Sequence, residues 1–165
     1  MMSVFHFLEF YATARWNNPK AEIESFLLST YDYILAHLCA ILEIVIRSRY
    51  PPDQYARFVT LRPVVGGTVA ILGQAIRTSA MMQAGCNFNH HIEKQAREDH
   101  KLVVTGLYSW SRHPSYIGLY LLFVGAQAMV ANYLVTILLA CFLGIFLAKR
   151  IQCKSFFADI ASLIG

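Results

Sequence analysis

The segment His100 to Gly118, HKLVVTGLYSWSRHPSYIG, concentrates residue types that can hold a charged small molecule. Tyr108, Trp110 and Tyr116 offer aromatic faces to a flat ring or a cationic sulfonium. His113 precedes a proline and is biased away from helical backbone. Pro114 suits the first position of a helix. A helix starting there should turn free backbone N–H groups and a positive dipole end toward the loop, which suits a carboxylate or phosphate. Thr105-Gly106 predicts a tight turn that brings His100 back over the site. Tyr, Trp and Arg are also common anchors at a membrane surface, so these types and spacings alone name no cofactor.

The elements that must position this loop are apolar. The 165 residues are 56% hydrophobic and 15% charged. Ordinary soluble domains carry about 25% charge, so the chain reads as one membrane domain, residues 1–165, and not a soluble one. The net charge of +4 suits an anionic membrane surface and does not imply nucleic acid. An all-α, multi-pass fold with about four membrane helices is expected. The first span is placed at about 26–46; its Asp32, His37 and Glu43 should face other helices or a cavity. The second lies at about 58–82, where Gly66, Gly67 and Gly73 allow close helix approach and Arg62 and Arg77 can snorkel. Pro51-Pro52 predicts a sharp break between the two.

The run from Tyr116 to Leu147 is too long for one straight span of a bilayer core about 30 Å thick. Asn132 is its turn-favouring residue. A C-terminal helical hairpin is therefore predicted at 115–130 and 134–148, with arms short enough to need tilt or bilayer thinning. The cofactor loop spans 83–114 and the tail 151–165. Counting spans alternately puts ten of the fourteen basic residues on the loop's side, among them Arg15, Arg77, Lys101, Arg112, Lys149 and Arg150. The other side holds Arg47, Arg49, Arg57 and Arg62. The positive-inside rule then faces the loop to the cytosol.

The four cysteines form no CxxC pair, and Cys39 and Cys141 in apolar blocks read as packing residues. His90-His91 has no matching carboxylate cluster, so no metal site is expected. The N-terminal stretch, with His6 and Glu9 and no basic leader, reads as mature sequence.

At these residues the sequence resembles the isoprenylcysteine carboxyl methyltransferase family. The likeness rests on Asn87-Phe88-Asn89-His90, His100-x-Leu102-Val103, Thr105-Gly106-x-Tyr108 and Arg112-His113-Pro114-Ser115-Tyr116-x-Gly118. It continues through Gly125-x-Gln127 and Asn132 and covers roughly residues 5 to 150. Phospholipid methyltransferases and membrane sterol reductases share the RHPxYxG element but not the combination. The resemblance implies an endoplasmic reticulum enzyme, multi-pass, with its cofactor loop in the cytosol. It implies methyl transfer from S-adenosylmethionine to the C-terminal carboxylate of prenylcysteine in CaaX-processed proteins. It places the cofactor on Glu93, His100, Lys101, Leu102, Val103, Tyr108, His113, Pro114, Ser115 and Tyr116, with Glu93 where the family commonly has glutamine. It gives Arg150 to substrate handling. The partners it implies are prenylated protein C-termini and the bilayer, and a homo-oligomer is compatible with it.

The likeness is expected to stop after Arg150. Lys154 stands where the family has a cofactor-contacting glutamate, and Phe156, Phe157, Ile160, Leu163 and Ile164 suggest a short interfacial helix. A truncated, catalytically defective isoform is thus one alternative reading. A related phospholipid methyltransferase or sterol-reductase-like enzyme is another.

Overall fold

Helices form over the apolar blocks. The computed structural model describes residues 2–16, 31–49, 56–85, 88 and 103–164, and these contain no strand. Five helices follow one another: α1 Met2–Trp16, α2 Tyr31–Arg47, α3 Ala56–Ala84, α4 Pro114–Met129 and α5 Tyr133–Ile164. A short 3-10 turn, Gly106–Ser109, precedes α4. Pro51-Pro52 lies outside the described residues.

The packing of α3 on α4 holds the molecule together. The two helices run antiparallel, and the glycines of each sit against the other's backbone. A Cβ on Gly73 would lie 2.4 Å from Leu122 N, and one on Gly118 would lie 2.5 Å from Arg77 N. Gly66 and Gly125 are equally closed, against Met129 N at 2.4 Å and Ala70 N at 2.6 Å. The spacing is seven residues in both helices, so the small positions stay on one face. Gly67 is different: its Cβ would make only ordinary contact with Met129 Sδ at 3.5 Å.

Helix α1 lay outside the expected spans. Its inward positions are Phe5, Glu9, Ala12 and Thr13, all buried and on one helical face. Phe5 meets Phe123 edge-on at 5.4 Å and joins Ala70, Leu122 and Ala126 in the core. The polar residues on this stripe hide its periodicity from a reading based on hydrophobicity.

The chain breaks between Met129 and Tyr133, beside Asn132. The left-handed residue there is Ala131, with φ 59°. Asn132 N–H donates to Gln127 O and Ala131 N–H to Ala128 O, each at 3.1 Å. That pair of bonds closes a Schellman motif, with alanine where glycine is usual. Asn132 is buried, and its Nδ2 donates to Gln127 Oε1 at 2.9 Å and to Ala40 O at 3.3 Å.

Helix α5 corrects one expectation. The helix of the second hairpin arm does not end at 148 but runs on unbroken through the tail. The backbone stays helical for 32 residues to Ile164, about 48 Å. No glycine or proline stands between Ala148 and Ile164 to stop it. The stretch Tyr133–Gln152 is long and apolar enough to cross a membrane. The 16 residues of α4 rise only about 24 Å, less than a bilayer core of about 30 Å. The side chains of Lys154, Phe156 and Phe157 lie outside those described.

Candidate functional site

The site forms where α4 begins and the last turns of α3 and the middle of α5, at Arg150, approach it. Its foundation is an ion pair that the sequence reading placed elsewhere. Arg77 does not snorkel; it is 3% exposed, and Glu9 of α1 is 1% exposed. The guanidinium forks onto the carboxylate, with Nε donating to Oε1 at 2.5 Å and Nη2 to Oε2 at 2.8 Å. Its third arm, Nη1, donates to Ser115 O at 3.2 Å. An unpaired charge at this depth would cost several kcal/mol, so each partner requires the other.

The loop before α4 rests on α3. Gly106 takes φ +61°, and a Cβ there would strike Gln83 Oε1 at 2.6 Å. That same Oε1 accepts the Leu107 N–H at 2.9 Å. The tight turn at Thr105-Gly106 is therefore present, and its left-handed dihedral is what calls for glycine. Tyr108 donates its hydroxyl to Ala80 O at 3.2 Å. Burial raises the Tyr108 pKa, against the nearby Arg77 charge that lowers it, so the hydroxyl stays protonated as a donor.

Of the residues given to the cofactor, Val103, Tyr108, His113, Pro114, Ser115 and Tyr116 are described. Glu93, His100, Lys101 and Leu102 lie outside the described residues. The His113 and Tyr116 rings stack, 5.4 Å apart and 12° from parallel. Arg150 of α5 sits over the Tyr116 ring at 5.7 Å. The structure thus joins two cofactor candidates to the substrate candidate. Pro114 and Ser115 are buried beneath them. Val103 is half-buried.

Two details differ from expectation. The three aromatic residues do not converge: Tyr108 packs on α3, while Trp110 is 94% exposed. The helix start also presents fewer free donors. Pro114 has no N–H, and those of Tyr116 and Ile117 already reach His113 O at 3.1 and 3.4 Å.

A cavity of about 460 Å³ opens nearby among α1, α3 and α4, lined by Val4, Leu8, Ala70, Ile71, Thr78 and Leu122. It is almost wholly apolar. Gln74 Nε2 and Thr78 Oγ1 hydrogen-bond to each other on its α3 wall at 2.9 Å.

A family model described as the isoprenylcysteine carboxyl methyltransferase family matches residues 65–157. The chain belongs to that family. The match runs seven residues past Arg150, where the likeness was expected to end. Protein-S-isoprenylcysteine O-methyltransferase of Saccharomyces cerevisiae is 42% identical over 156 residues, covering 92% of this chain and 65% of the yeast protein. The human protein of the same name is 37% identical over 133 residues, covering 79% of this chain and 46% of its own length. A solved structure of a eukaryotic intramembrane Ras methyltransferase is 30% identical and superposes with a TM-score of 0.89. It covers 95% of this chain, which spans 56% of that one. The chain thus spans roughly half to two thirds of these relatives, and its fold is that of a membrane methyltransferase family.

Glu9 and Arg77 were missed as a pair. Each is a lone charge in an apolar stretch, and a lone buried charge implies a partner. That rule, applied to the two together, would have matched them.

Proposed function

We propose that this chain carries the methyl-transfer site for a prenylcysteine carboxylate, with S-adenosylmethionine as donor. The observation that supports it is the joining of His113, Tyr116 and Arg150 in one place. The residues present suit the donor in one of its parts: the His113–Tyr116 plane suits its adenine ring. When bound, the donor supplies an electrophilic methyl on a cationic sulfur.

The chain's residues then have three tasks. Arg150 holds the substrate carboxylate by a charge-assisted pair. That carboxylate ionises at a pKa of about 3.5, so no general base is required at neutral pH. His113 and Tyr116 fix the donor's plane, so the gain comes from proximity and in-line orientation. The apolar cavity among α1, α3 and α4 fits an isoprenyl chain, which keeps the polar end of the substrate at the loop.

The finer topology belongs to the same reading: about four spans, an endoplasmic reticulum membrane, and the loop in the cytosol. Burial removes Arg77 from the basic count on the loop's side. Arg47 and Arg62 on the other side flank the Tyr133 ring at 4.8 and 5.2 Å, which gives them a packing role independent of orientation. The test is methylation of a farnesylated cysteine analogue by the purified chain in bilayer discs with labelled S-adenosylmethionine. Label transferred to the carboxylate is the expected result. Transfer no greater than without protein contradicts the reading.

A further inference from the structure

Among the described residues, Arg77 lies amid Glu9, Phe88, Tyr108 and Ser115 on the loop side of the site. Its fork is held by Glu9 from α1. Its third arm reaches Ser115 O, between His113 and Tyr116 in the first turn of α4. Its guanidinium lies 5.9 Å from the centre of the Phe88 ring. Tyr108, anchored three residues along α3 at Ala80 O, feels its charge. Phe88, the Tyr108 end of the turn and the start of α4 therefore surround one buried cation. Neither Arg77 nor Glu9 is exposed enough to meet a ligand.

We propose that Arg77, aimed by Glu9, is the positioning residue that sets where the loop and the first turn of α4 present His113 and Tyr116. The proposal rests on the reading of that site as a donor-binding wall. A buried ion pair is weak evidence of stabilisation, because well-packed apolar residues often replace one without loss. Its value here is directional. A fork has one geometry, and Nη1 can reach Ser115 O only while Glu9 fixes the other two nitrogens. A displacement of about 1 Å at a reacting site can cost on the order of 100-fold.

The experiment uses the full chain in bilayer discs and the double variant Glu9→Leu/Arg77→Met. This replaces both charges together and leaves neither unpaired, so folding is retained where Arg77→Ala alone risks unfolding. Two quantities are read: hydrogen exchange of the Leu107–Ile117 amides, and equilibrium binding of labelled S-adenosylmethionine. The expected result is a folded variant whose loop amides exchange about ten-fold faster and whose donor affinity falls about ten-fold or more. Unchanged exchange overturns the proposal, and so does faster exchange with unchanged affinity. Failure of the unsubstituted chain to bind the donor overturns the reading of the site instead. Loop exchange in the variant then decides the positioning role by itself.

Discussion

At the C-terminal end of α4, an arginine, a carboxylate and an aromatic ring close a turn. At its N-terminal end the same three residue types make the candidate site. In the turn, Glu43 of α2 accepts the Leu134 and Val135 N–H groups at 3.1 and 2.9 Å, capping α5. Arg47 Nη1 donates to Ala131 O, and Tyr133 lies between the guanidiniums of Arg47 and Arg62. Glu43 and Arg47 each satisfy backbone groups of the turn, so these charges serve the fold. At the other end the carboxylate and one arginine are buried as a pair beneath the surface, while a second arginine, Arg150, lies over an aromatic stack. Identical chemistry becomes structural where every polar group meets backbone. At the other end a ring and a cation, Tyr116 and Arg150, meet each other instead.

Substitutions should separate the two ends. The largest effect comes from the support they share. Gly73→Val drives side-chain atoms into the backbone of α4, and overpacking of this kind costs about 3 kcal/mol or more where backbone cannot yield. Thermal unfolding and donor binding should both collapse. Retention of either would show that α3 and α4 can part without loss.

Asn132→Ala removes two buried hydrogen bonds at the turn, for a loss of about 2 kcal/mol. Donor affinity of the surviving folded protein should not change. Glu43→Ala uncaps α5 and should cost about 1 kcal/mol. This is read as a lowered unfolding midpoint, again with the donor bound normally. A weakened donor affinity in either variant would mean that the ends are coupled through α4.

The smallest change has the opposite sign. Ala131→Gly relieves the left-handed backbone at φ 59° and should stabilise the chain by about 1 kcal/mol. An unchanged or lower midpoint would place the strain elsewhere.

Much of the fold was legible in the residues. The break in the long apolar run falls beside Asn132 because a buried amide there ties α2, α4 and α5 together. Gly66 and Gly73 announced a close helix contact because small residues have few other uses in an apolar helix. The end of α5 was not legible. Its apolar pattern weakens at Lys149, yet no helix breaker follows. Helix α1 was obscured because Glu9 and Thr13 occupy its inward face. For the site, His113, Tyr116 and Arg150 are brought together, with α5 folding back on α4 from a distance in sequence. Trp110 is exposed and joins none of them, since a residue type carries no direction when the loop's path is unknown.

The most direct test of the account is Arg150→Ala in bilayer discs, read by two assays on one preparation. One measures equilibrium binding of labelled S-adenosylmethionine; the other measures label transferred to a farnesylated cysteine analogue. Loss of one charge-assisted contact predicts transfer reduced by about 10- to 100-fold, with donor binding within about two-fold of the unsubstituted chain. Equal loss of binding and transfer would contradict the division of roles between Arg150 and the His113–Tyr116 stack.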